Sequence, residues 1–296
     1  MQWDYQVDVV AVGAGLGGLA TAIVAVDDGQ TVFVTQSPVR SPHHRLGVEV
    51  SDRATNAYLD AVTDIVGTPA EGTAGDLPVR LVASMVPVSL GCNPRRNGVE
   101  PFSGARLAAW SADCIVAPHG VFYSYVAHRD MTTLHSATGE KVEVAVVGSV
   151  EPGVGPEWCL DEWLSAQARD RGIEARQDST LDRLVFENGQ VVGAVLATPD
   201  GRCAVSAARG VVVATSGGAT AGGGVAHRIP GDDPVQVGVV SKPASRFARV
   251  ELLTPVRADI RPSPTPANHG RLRSHTLSSR AGCHTGAPGQ LHDGGI

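Results

Sequence analysis

Apolar residues recur along this chain in two rhythms. Val9-Val10-Ala11-Val12 is an unbroken apolar run, which predicts a strand covered on both faces. It enters Gly13-Ala14-Gly15-Leu16-Gly17-Gly18, after which Leu19 to Asp28 predicts a helix stopped at Gly29. Thr31 to Thr35 is a short apolar strand, so residues 8–35 predict the first β-α-β of a parallel sheet. Residues 52–66 predict an amphipathic helix whose inner face is Ala54, Ala57, Tyr58, Ala61, Val62 and Ile65. Residues 79–90, 121–126 and 141–150 are strand-like, and the stretch from Trp110 is mixed. Residues 157–171 predict a helix with Leu160, Trp163, Leu164 and Ala168 on one face. Ile173 to Arg176 resumes a strand. Leu181 to Phe186, Gln190 to Thr198 and Arg202 to Ala207 follow, separated by Asn188-Gly189 and Pro199-Asp200-Gly201. They predict an antiparallel meander. The meander leads into a second buried strand, Val211 to Ala214, and another glycine turn, Thr215-Ser216-Gly217-Gly218.

The first glycine turn carries chemistry. Gly13, Gly15 and Gly18 fit G-x-G-x-x-G between a strand and a helix. The first glycine permits the tight turn, the second lets a pyrophosphate approach the backbone, and the third lets helix and strand pack closely. The helix N-terminus then offers N–H groups and the positive end of its dipole to phosphate. The position expected to meet the ribose is Gln36, 23 residues after Gly13. A glutamine there lacks the charge of the usual acid. Val9 to Val26 is also an uncharged run of 18 residues, long enough to be weighed as a membrane span. Four glycines in its first half, and Asp4 and Asp8 before it, favour the turn over a span or a signal.

Composition narrows the classes. A net charge of −6 gives no reason to expect nucleic acid or an anionic membrane. Cys92, Cys114, Cys159, Cys203 and Cys283 are odd in number and fit no metal spacing, so buried free thiols in a cytoplasmic protein are expected. The adjacent His43 and His44 read as part of an exposed loop. From Arg257 onward the chain has no Lys, Glu, Val, Met or aromatic residue, and four of the ten histidines. Too little apolar material remains to offset ordering entropy, so residues 257–296 are expected to be a disordered tail, with the reading frame shifted or truncated relative to a longer ancestor.

Together these segments resemble the flavoprotein superfamily of fumarate reductase and succinate dehydrogenase flavoprotein subunits, L-aspartate oxidase and 3-ketosteroid dehydrogenases. Three stretches carry the likeness. They are Asp8 to Ala20, the helix–strand–meander of residues 157–207, and Arg209 to Gly218, which is similar to that family's A-R-x-V-I-L-A-T-G-G strand. The resemblance implies a Rossmann-like α/β fold with a parallel sheet and an antiparallel meander, incomplete at the C-terminus. It implies FAD as cofactor. Within the turn Gly13-Ala14-Gly15-Leu16-Gly17-Gly18, Gly13, Gly15, Leu16 and Gly18 would meet the pyrophosphate. Gln36 would meet the ribose and the Leu181 backbone the adenine. Ala214, Thr215, Ser216 and Gly217 would line the adenosine half. The FAD domain would comprise residues 1–50 and 140–218, with an inserted segment at 51–139 and a partial cap at 219–256. The family's G-G-x-S flavin loop, its late glycine-rich strand and its substrate-binding arginines find no match. The expected activity is hydride transfer between an organic substrate and the flavin. The alternatives are a non-catalytic, degenerate nucleotide-binding module, and an NAD-binding domain, which the meander argues against. His119, Tyr123, Tyr125 and His128 are histidine and tyrosine candidates for a catalytic role, each read as structural.

Overall fold

A computed structural model describes residues 2–36, 46–48, 50–64, 77–83, 103–125, 131–151, 158–215 and 234–255. The chain divides into two units, Met1–Val256 and Arg257–Ile296, and every described residue belongs to the first.

The centre of that unit is β1 (Tyr5–Val12). It pairs in parallel with β2 (Val32–Thr35) on one side and with β10 (Gly201–Ala214) on the other. Its alternate residues enter two cores. Val9 and Ala11 join one cluster with Leu19, Ala20 and Ile23 of α1 (Leu16–Asp27) and Leu160 and Leu164 of α4 (Leu160–Asp170). Val10 and Val12 join the other, with Leu59 of α2 (Arg53–Asp64) and Trp110 of α3 (Ser103–Val116). Both faces of β1 are covered, which is why its sequence does not alternate. The uncharged run from Val9 is thus part strand, part turn and part 12-residue helix. No helix among the described residues is long and apolar enough to cross a membrane.

The mixed parallel and antiparallel α/β sheet is the class expected. Its order is β5-β6-β11-β12-β4-β10-β1-β2-β7. Here β4 is Gly120–Tyr123, β5 Thr132–His135, β6 Lys141–Val150, β7 Ala175–Arg176, β11 Val235–Ser241 and β12 Phe247–Pro255. The short β3 (Val79–Val82) joins the far end of β12 in parallel. The meander is present as β8 (Thr180–Glu187), β9 (Gln190–Thr198) and the first half of β10. The strands read separately at 202–207 and 211–214 are one strand, carried through Gly210 at φ 115°. Strands β11 and β12, from the stretch read as the start of a cap, lie in this same sheet between β6 and β4.

Three local expectations are corrected. The mixed stretch around Trp110 is the helix α3, followed by a shorter strand, β4. Helix α1 begins at Leu16, three residues earlier than its apolar rhythm suggests. Helix α2 turns a shifted face inward: Thr55, Leu59 and Thr63 are buried and Tyr58 and Val62 pack against the core as expected, while Ala54, Ala57 and Ala61 are exposed and Ile65 lies outside the described residues. The reason is polar. Asp52 caps the helix by accepting from the N–H and hydroxyl of Thr55, each at 2.8 Å. The Thr55 Oγ1 in turn accepts the N–H of Leu184 in β8 (2.9 Å). These bonds hold the Asp52 carboxyl below its usual range, the backbone N–H of Thr55 contributing most. Of the cysteines, Cys114 is buried as expected, whereas Cys159 and Cys203 are only half-buried. Cys92, Cys283, His43, His44 and the tail lie outside the described residues.

A second polar assembly lies inside the sheet. Glu251 of β12 is fully buried. It accepts from Arg80 of β3 through both carboxylate oxygens, and from Nε of Arg249, two residues away on the same strand face (2.8 Å). Arg80 also reaches Glu140 (3.3 Å), which is paired with Lys242. Burial raises the Glu140 carboxyl, but bonding to Lys242 and the charges of Lys242 and Arg80 outweigh it, and it sits below the usual range. The ring of Trp110 lies against this group, with the guanidinium carbon of Arg249 4.7 Å from its centroid. The Trp110 indole donates to the Phe247 carbonyl (2.9 Å) and ties α3 to β12.

Candidate functional site: the glycine turn and the ends of β1, β2 and β10

The site forms where three parallel strands end together. Val12, Thr35 and Val213 are register partners across β2, β1 and β10, and Ala214 is the next residue of β10. The chain leaves β1 at Gly13 with φ 96°, a conformation that glycine adopts without strain. The Gly13 N–H donates to Thr35 Oγ1 (3.2 Å), and Thr35 is fully buried. Thr35 was not singled out from the sequence. Its signal is a hydroxyl closing an apolar strand directly before Gln36.

Helix α1 then starts at Leu16 with Gly15 as N-cap. No side chain caps it, and its first turn holds no acid. Helix α4 differs, with Asp161 and Glu162 in its first turn. The positive end of the α1 dipole is therefore not neutralised by its own first turn.

The spacing of the turn is set by close approach. A Cβ on Gly18 would lie 1.9 Å from the Gly13 carbonyl oxygen and 3.4 Å from the Ala214 Cβ. A Cβ on Gly17 would lie 2.5 Å from the Gly120 carbonyl oxygen. Gly18 thus closes the turn on itself and against β10, and Gly17 seats α1 on β4. The substitution Gly18→Ala is expected to cost about 3 kcal/mol by forcing the backbone apart. Urea unfolding of the full chain checks this, and a loss below about 1 kcal/mol would mean that the close packing is relieved cheaply.

The other sequence candidates fall around this turn. Ala14 is buried behind it, and Leu16 packs on the α1 core. Ala214 faces Gly13, whose added Cβ would lie 3.2 Å from the Ala214 Cβ. Thr215 is fully buried, and its hydroxyl donates to the Ala117 carbonyl (2.9 Å) while its N–H donates to the Gly120 carbonyl (3.0 Å). Its side chain thus holds the end of α3 to β10. Ser216, Gly217 and His128 lie outside the described residues. Gln36 follows β2, and its N–H donates to the Arg176 carbonyl (2.8 Å). Ser179, just ahead of β8, donates its N–H to the Gln36 carbonyl (3.2 Å), which brings Leu181 to this end of the sheet. The Leu181 side chain is buried.

The aromatic and histidine candidates have packing roles. Thr21 donates to the Gly17 carbonyl (2.8 Å), so Tyr123 donates its hydroxyl to Thr21 Oγ1 (3.0 Å). Burial pushes the Tyr123 hydroxyl far above the usual phenol range, and it stays protonated. Tyr125 stacks edge-on to Tyr123 at 5.9 Å. His119 is buried, and its carbonyl accepts the Val250 N–H (3.0 Å).

No protein-family model matches the chain. It is 36% identical over 85 residues to aklavinone 12-hydroxylase RdmE of Streptomyces purpurascens, a match covering 28% of this chain and 16% of that protein. Among solved structures it is similar to a 3-ketosteroid-Δ4-(5α)-dehydrogenase from Rhodococcus jostii RHA1, at 18% identity and a TM-score of 0.28. That match covers 71% of this chain and 46% of the dehydrogenase. It is also similar to a flavocytochrome c3 fumarate reductase, at 19% identity and a TM-score of 0.29, over 69% and 33% of the two chains. A third likeness is to aklavinone-11 hydroxylase, solved with FAD and aklavinone, at 23% identity and a TM-score of 0.26, over 70% and 32%. The chain spans less than half the length of each of these proteins.

Proposed function

We propose that residues 1–50 and 140–218 form the adenosine-diphosphate half of an FAD site, and that the chain serves an FAD-dependent oxidoreductase. The observation that carries this reading is the Gly13–Gly18 turn. It has a left-handed Gly13, no room for a Cβ at Gly18, and a helix start with no side-chain cap and no acid. Such a terminus accepts a pyrophosphate through backbone N–H groups and the helix dipole. Thr35 holds the turn in shape through the Gly13 N–H, and the ends of β2 and β8 supply the surface for the adenosine. The donor set is neutral and backbone-rich, which suits a diphosphate and not a metal ion.

Bound flavin would supply hydride acceptance or donation, the chemistry this class of cofactor carries. The finer reading is dehydrogenation or reduction of the fumarate reductase and ketosteroid dehydrogenase type. A second reading, hydroxylation, is favoured by the 36% identity to aklavinone 12-hydroxylase RdmE. A non-catalytic nucleotide-binding module is the third, supported by the neutral Gln36.

The absorption spectrum of the full chain, purified and then incubated with FAD, separates the two flavin-dependent readings from the non-catalytic module. Bound flavin bands that bleach on reduction are expected. A colourless protein that gains thermal stability with ADP would favour the non-catalytic module.

A further inference from the structure

The ribose end of the site is built from two amides. The Gln177 Nε2 donates to the Gln36 Oε1 at 2.8 Å, and also approaches the Ala175 carbonyl at 3.4 Å. The second contact fixes the orientation of both amides. A backbone carbonyl only accepts, so the Gln177 group facing it is its NH₂. The Gln36 group meeting that NH₂ is then its carbonyl oxygen. The remaining group of Gln36, its own NH₂, has no acceptor among the described residues. Gln36 is partly exposed, so this donor can reach a ligand.

A dinucleotide site that selects a free ribose places a carboxylate here. The carboxylate accepts from the 2′-hydroxyl and repels a 2′-phosphate. In this chain the acceptor atom is engaged by Gln177 and carries no full charge, and the NH₂ has no acceptor among the described residues. A 2′-phosphate offers several acceptor oxygens to such a donor, whereas a 2′-hydroxyl offers one. Arg176, which precedes Gln177, is a cation; its guanidinium rests on Tyr5 and Phe33 at the edge of the sheet. The adjacent acid, Asp178, is exposed, where solvent and salt screen its field.

We infer that the Gln36–Gln177 pair is a neutral, donor-presenting clamp that admits adenosine diphosphates bearing a 2′-phosphate as readily as those with a free 2′-hydroxyl. The inference rests on the nucleotide reading above and names the residue that sets selectivity within it.

Calorimetric titration of the full chain, freed of bound nucleotide, with ADP-ribose and with 2′-phospho-ADP-ribose tests it. The wild-type chain is expected to bind the 2′-phosphate within threefold of the hydroxyl form, or more tightly. Gln36→Glu is expected to weaken the 2′-phosphate ligand at least tenfold and to leave ADP-ribose within threefold. Gln177→Leu frees the Gln36 amide to turn, and is expected to shift the preference toward the hydroxyl form. A wild-type preference of tenfold or more for ADP-ribose overturns the clamp while leaving the nucleotide site standing. An equal loss for both ligands in Gln36→Glu does the same. If neither ligand binds the wild-type chain, the nucleotide reading itself fails and the clamp with it.

Discussion

Gly15→Asp is expected to weaken binding of ADP or FAD by about 100-fold, equivalent to about 2.7 kcal/mol, without destabilising the fold. Gly15 is the N-cap of α1, and its φ of −70° and ψ of 176° are open to any residue. Aspartate is a better cap than glycine by a few tenths of a kcal/mol, because its carboxylate accepts the first free N–H groups of the helix. Those N–H groups are the ones a pyrophosphate would occupy, and the new charge also repels the phosphates. Stability and binding should therefore move in opposite directions. Gly15→Ser, which caps without charge, should fall between, at about a tenfold loss of binding. Thermal unfolding and nucleotide titration on the same samples check both halves. Binding within threefold of wild type for the aspartate variant would place the ligand away from this helix.

Glu251→Ala is expected to destabilise the chain by about 3–5 kcal/mol, the usual cost of stranding buried charges. Glu251 is fully buried and compensates Arg80 and Arg249. Its loss leaves two guanidinium groups beside Trp110, with Glu140 as the remaining carboxylate on Arg80. Glu251→Gln keeps the shape and some acceptor capacity, and should cost less than the alanine change. Urea unfolding of the three proteins gives the comparison. A loss below about 1 kcal/mol for alanine would mean that water reaches these guanidinium groups. The cluster joins β3, β12 and the turn before β6, so its loss should be felt on this flank and not at the glycine turn.

The parts legible in the sequence are those where local pattern and tertiary role agree. The run from Val9 to Val12, the glycines at 13, 15 and 18, and the i, i+4, i+8 face of Leu160, Leu164 and Ala168 each point to one structure. Asn188-Gly189 marks the hairpin between β8 and β9, with both residues at positive φ. Other parts depend on partners far along the chain. The pairing of β12 with β4 joins residues more than 100 positions apart, and no local signal specifies it. The inward face of α2 was legible at Tyr58 and Val62 but not at Thr55 and Thr63, because a hydrophobic pattern scores threonine as neutral. The Arg80–Glu251–Arg249 group was hidden because charges in a strand read as solvent-facing. Its one sequence signal is opposite charges at i and i+2 in an otherwise apolar strand, Phe247 to Leu253.

At the candidate site, Gly13 and Gly18 were readable because each answers a steric demand, a positive φ at the one and the absence of room for a Cβ at the other. Thr35 and Gln177 were not, since their roles are single hydrogen bonds made across 22 and 141 residues. Gln36 was legible as the position expected to meet a ribose, but the orientation of its amide emerged only with Gln177 and Ala175 in place.

The Gly13–Gly18 turn is expected to bind a diphosphate. Calorimetric titration of the nucleotide-free full chain with ADP and with adenosine tests it most directly. ADP is expected to bind at least about 100-fold more tightly than adenosine, because the turn and the α1 N-terminus recognise the phosphates. Equal affinity for the two ligands, or no binding of ADP, would contradict it.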